Sequence, residues 1–133
     1  MKIYFSVLIF AGFLFSYCNP LRRIDMKNTT NDSVHIIWTL NEDSLSNNPF
    51  MLSNSKELKF VLYPPKTRRI NMSFGAGNWT PTEVQKLVNR LESLEIRSAS
   101  QKIKIDSLPL LKDYLLARRR GIGGAKIEIV VAK

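Results

Sequence analysis

The chain has 133 residues, one cysteine and a net charge of +9. Its length suits one domain behind a leader, and a lone cysteine excludes an internal disulfide, so apolar burial must carry stability. The charge is uneven: residues 1–57 hold five basic and five acidic side chains, whereas residues 58–133 hold fifteen basic and six acidic ones.

Residues 1–18 have the layout of a secretory signal peptide. Lys2 gives a positive start, residues 3–17 carry no charge, and polar sequence follows Cys18. The run Leu14-Phe15-Ser16-Tyr17-Cys18 resembles a lipobox, the bacterial lipoprotein motif, with Ser16 fitting the pattern and Tyr17 larger than its usual residue. The resemblance implies lipid attachment at Cys18. Two other fates stay open: cleavage after Cys18, and an uncleaved anchor. Residues 3–17 fall short of the roughly 20 apolar residues that cross a bilayer. Asn19 is not the aspartate of an inner-membrane retention signal, so the same resemblance points to the periplasmic face of the outer membrane.

Residues 19–27 read as a tether running into a first short strand, and residues 28–133 as a single globular domain. Asn28-Thr29-Thr30-Asn31-Asp32 is a cluster of turn formers. Val34, Ile36, Trp38 and Leu40 alternate with His35, Ile37 and Thr39, which predicts a strand. Residues 41–55 read as a loop, with Phe50, Met51 and Leu52 as an apolar plug. A hairpin is expected around Pro64-Pro65-Lys66-Thr67, between a strand over 59–63 and one over 68–74.

Thr80, Pro81 and Glu83 spell a helix start with a capping box. The stripe Val84, Leu87, Val88, Leu91 and Leu94 predicts a helix that gives way near Glu95. Ile96, Ile103 and Ile105 flank a turn over 98–101. Asp106 or Ser107 caps a second helix that buries Leu110, Leu111, Tyr114 and Leu115. Arg118, Arg119 and Arg120 fall in its last turn, with Gly121 as the stop. Residues 125–131 form the last strand, with Ile127, Ile129 and Val131 inward. The expected class is α+β: a mainly antiparallel sheet with two helices packed on one face.

His35 is the only histidine and sits on an outward strand position, so neither a metal centre nor a catalytic constellation is expected, and no cofactor. Residues 74–78 precede a helix but lack the P-loop and dinucleotide patterns. The candidate binding surface is arginine-rich: Lys66, Arg68 and Arg69 on one segment, Arg118, Arg119 and Arg120 on another. Guanidinium groups suit carboxylate and phosphate. Trp38 is expected in the core, and Trp79 beside the helix cap is left between core and interface.

The runs Asn28 to Trp38, Asn48-Pro49-Phe50 and Val61-Leu62-Tyr63-Pro64-Pro65 look like those of small uncharacterised lipoproteins of Bacteroidetes-type bacteria. That resemblance implies location and fold, with no activity attached. The expectation is an envelope protein, lipid-anchored at Cys18, that binds an acidic protein or an anionic lipid surface and not nucleic acid. The alternative is a small enzyme acting on an anionic envelope substrate.

Overall fold

The computed structural model describes residues 19–50 and 55–132. The leader with Cys18, and Met51 and Leu52 of the expected plug, lie outside the described residues. In chain order the elements are β1 (Leu21–Asn28), β2 (Val34–Leu40), a 3-10 turn (Glu42–Ser44), β3 (Glu57–Leu62) and β4 (Arg69–Ala76). Then come α1 (Pro81–Val88), β5 (Leu91–Arg97), β6 (Lys102–Ile105), α2 (Leu108–Leu116), β7 (Arg119–Arg120), a 3-10 turn (Ile122–Gly124) and β8 (Lys126–Val131).

The α+β class holds, but the strands divide into two four-stranded sheets, ordered β4-β1-β8-β7 and β3-β2-β5-β6. Every pairing is antiparallel except β1 with β8. The chain changes sheet four times: through residues 29–33, through the Pro64-Pro65 segment, and through each helix. The two helices pack against each other and both touch β5, and α2 also touches β6, so both lie against the second sheet.

One apolar core joins everything. Ile24, Met26, Ile127 and Ile129 come from the first sheet, and Ile36, Trp38, Leu94 and Ile96 from the second. Val84 and Val88 of α1 and Leu111 and Leu115 of α2 complete it. Each such side chain contributes about 1.5–3 kcal/mol on burial, which is how a domain without a disulfide is held. Trp38 is fully buried and Trp79 nearly so, and Trp79 Nε1 donates to Arg23 O at 3.0 Å.

The first crossover is tied by Asn28. This side chain is wholly buried, yet both its polar atoms are satisfied. Its Nδ2 donates to Asp32 O (2.7 Å) and to Leu62 O (3.2 Å) at the end of β3. Its Oδ1 accepts from Thr30 N (2.9 Å) and Thr30 Oγ1 (2.7 Å). One amide thereby holds the expected turn and links the two sheets.

Several expectations need correction. Residues 21–27 are not a tether: they belong to β1, an interior strand of the first sheet, with Ile24 and Met26 fully buried. The strands flanking Pro64-Pro65 do not form a hairpin: β3 pairs with β2, and β4 pairs with β1 in the other sheet. Prolines cannot donate ladder bonds, so pairing ends there and the chain crosses over. The first helix stops at Val88, and Leu91 and Leu94 belong to β5. Those leucines fit both periods, and pairing with β2, through a bulge that places Leu91 opposite Leu40, decides for strand. Leu110 of α2 is 63% exposed, whereas Leu111 and Leu115 are buried as expected.

Candidate functional site

The cations of the first sheet gather at its two ends. Call the end where β1 starts the near end, and the end where it finishes the far end.

The three arginines after α2 lie at the near end. They are not in the last helical turn: α2 ends at Leu116, and Arg119 and Arg120 form β7. Gly121, at φ 79°, follows that strand instead of stopping the helix. The side chains still serve the helix terminus. Arg118 Nη1 donates to Tyr114 O (3.0 Å), Arg119 Nε to Leu116 O (3.3 Å) and Arg120 Nη1 to Ala117 O (3.4 Å). These are the carbonyls a helix leaves unpaired, and cations favour that end of the dipole. Arg118 also stacks over the Tyr114 ring at 3.4 Å, and burial raises the Tyr114 hydroxyl above its ordinary pKa. Arg119 reaches Trp79 O at 3.2 Å.

Strand register adds more charge to the same end. Arg120 pairs with Lys126, and Lys126 with Arg23, all on the outward face. Asp25 and Glu128 answer them. Lys126 Nζ lies 2.7 Å from Glu128 Oε2 and 3.7 Å from Asp25 Oδ2, and it holds Glu128 below the ordinary carboxylate range. Two apolar side chains stand out of this end: Leu21, 52% exposed, and Ile122, 93% exposed.

Lys66, Arg68 and Arg69 lie at the far end. Arg69 pairs with Lys27 and Lys27 with Val130, whereas Arg120 pairs with Lys126. The two clusters occupy opposite edge strands, about 13 Å apart along the strands and about 14 Å across them. They do not merge into one patch. Arg68 is tied inward, with Nη1 donating to Thr30 O at 3.3 Å, while Lys66 and Arg69 are exposed. Tyr63, 56% exposed, closes β3 at this end and brings an accessible aromatic ring.

A cleft opens at the near-end mouth between the sheets. It measures about 470 Å³ and is lined by Arg22, Phe74, Trp79, Glu83, Lys86 and Arg90, among others. Arg22 is on the inward face of β1, the face of Ile24 and Met26, and so closes the end of the core. Its guanidinium pairs with Glu83 through Nη1, donates to Phe74 O at 3.0 Å through Nη2, and lies 5.4 Å from the centroid of the Trp79 ring. Lys86 Nζ contacts the other Glu83 oxygen at 2.9 Å, and with Arg22 it holds that carboxyl below its ordinary value. Thr80 caps α1 by accepting from Glu83 N at 3.2 Å. The Glu83 carboxylate goes to Arg22 and Lys86, so only half of the expected capping box forms. Phe74 and Trp79 meet edge-on at 5.2 Å and floor the cleft. The arrangement presents ionised, paired groups, which suit binding of an anion better than proton transfer.

The cleft was not foreseen from sequence, because Arg22 and Glu83 meet only through the fold. Glu83 at the third position of α1 was the one visible clue. His35 is exposed on the outer face of β2 between Val61 and Arg97. Among the described residues no group of His, Cys, Asp or Glu has the arrangement of a metal site, and no helix is long and apolar enough to cross a membrane. Comparison with known protein families, with curated proteins and with solved structures finds no match to this chain.

Proposed function

We propose that this is an exported envelope protein, held by lipid on Cys18 at the periplasmic face of a bacterial outer membrane, that acts by binding another macromolecule. The partner is an acidic protein surface, and the far end receives it. The observation that carries this reading is the grouping of exposed Tyr63, Lys66 and Arg69 at the end where β1 finishes. An accessible aromatic flanked by cations is the composition of an interface anchor, and arginine matches carboxylates in geometry as well as charge. The leader supports the location, and the lipobox-like run supports the anchor.

The test is mass spectrometry of the mature N-terminus, with Cys18→Ala as control, followed by crosslinking in the envelope. The expected result is an acylated N-terminal cysteine, and a crosslinked partner lost in the Tyr63→Ala, Arg69→Glu double variant. A partner that survives that variant removes the far end from the proposal. A second reading, a small enzyme acting on an anionic envelope substrate, draws on the cleft of Arg22, Lys86 and Arg90. Turnover abolished by Glu83→Gln with folding intact would establish it.

A further inference from the structure

We infer that the near end of the first sheet rests on anionic lipid headgroups, through Arg23, Arg120 and Lys126 with Leu21 and Ile122 dipping between them. This deepens the reading of Cys18 as a lipid anchor and rests on it.

Four backbone contacts gather the parts. Gly77 N donates to Pro20 O (2.7 Å), Arg23 N to Ala125 O (3.1 Å), Trp79 N to Gly124 O (2.9 Å) and Gly124 N to Gly121 O (3.3 Å). The start of β1, the 75–78 link and the 121–125 turn therefore share one end of the molecule. Gly123, at φ 65°, lies so close to Asn78 that a Cβ there would come within 2.7 Å of Asn78 Nδ2. That close approach fixes the turn against the 75–78 link, with Ile122 projecting outward. Glycine is what permits both the backbone angle and the contact.

The distance to the anchor selects lipid over other occupants. Leu21 stands three positions after Cys18 in sequence, so three Cα-to-Cα steps join them. Fully extended, they span at most about 11 Å, close to the screening length at physiological salt. An acylated Cys18 thus keeps these cations within reach of charged headgroups. Stable attachment commonly combines an acyl chain with a basic patch, and aliphatic residues flanked by Arg and Lys suit the interface. Among the described residues no aromatic ring of this end is exposed as a protein-binding anchor would need: Trp79 is buried, and Phe74 and Tyr114 are half-buried. Asp25 and Glu128 oppose the patch, but Asp25 is 3% exposed, beneath Arg23 and Lys126, and Glu128 is paired with Lys126.

The experiment uses protein purified from the producing cells, carrying Ile122→Trp, in vesicles with brominated acyl chains. One set contains phosphatidylglycerol with phosphatidylcholine and the other phosphatidylcholine alone. The native Trp38 and Trp79 are buried, and wild type supplies their background. The added indole is expected to lose about half of its emission in anionic vesicles and little in neutral ones. Arg120→Glu should abolish that difference, and the far-end change Arg69→Glu should leave it intact; each near-end cation is worth about fivefold in partition. No quenching, equal quenching in both lipids, or equal sensitivity to Arg69→Glu overturns the inference. N-terminal mass on the same preparation separates the two readings. Acylated but unquenched protein sinks the lipid face and spares the anchor. Unacylated but quenched protein sinks the anchor and supports the lipid face, and protein that is neither sinks both.

Discussion

The two ends of the first sheet use the same residue type for different work. At the near end, Arg118 and Arg119 are drawn into the fold by carbonyls that α2 leaves open and Arg22 closes the core mouth against Glu83, while Arg23 and Arg120 stay exposed, Arg120 with Nη1 on Ala117 O. At the far end Arg68 is tied to Thr30, while Lys66 and Arg69 project freely beside Tyr63. The near end exposes the aliphatic Leu21 and Ile122, whereas the far end exposes the Tyr63 ring together with Val130. Charge counted along a sequence therefore says little about which cations are available. Backbone partners decide that.

Breaking each end in turn sharpens the contrast. The largest effect is expected from Trp79→Ala at the near end. It removes a buried ring and the bond to Arg23 O, and should cost about 3–5 kcal/mol in urea unfolding. Asn28→Ala at the far end should cost about 2–3 kcal/mol, because Leu62 O and Thr30 N lose their buried partner. Glu83→Gln should lower stability at neutral pH and flatten its dependence on acid. The carboxyl is held below its ordinary value of 4.5 in the folded state. Its contribution is therefore present above pH 4.5 and lost as pH falls through the depressed value, and a pH series of melts reads this directly. The smallest effect on stability is expected from Arg69→Ala, within about 0.5 kcal/mol, since that side chain is exposed and its charge acts on Glu128 only as a minor contribution. Thermal melts of Arg69→Ala beside Trp79→Ala would show which end carries the fold.

Much of the fold was legible wherever one face of an element is apolar and the other polar. β2 and β8 announce themselves by alternation, and Thr80-Pro81 marks the start of α1. β1 was hidden because Arg22, Arg23, Asp25 and Lys27 surround its two buried apolar residues, and a charged run next to a leader reads as solvated chain. Leu91 and Leu94 satisfy helix and strand spacing alike, and only the β2 partner resolves them. Both arginine clusters could be seen in the sequence, but their separation could not, because it follows from which strands become sheet edges. The cleft was illegible for the same reason: its cation and its carboxylate come from β1 and α1, in distant parts of the chain.

The parallel pairing of β1 with β8 also bears on how the molecule is made. Arg23 aligns with Lys126 and Asn28 with Val131, so the earliest strand takes its interior place only when nearly the whole chain is present. Until then Ile24 and Met26 lack a wall, and such long-range closure is slow. The first sheet therefore cannot close ahead of its last strand, and its maturation waits on the C-terminal residues.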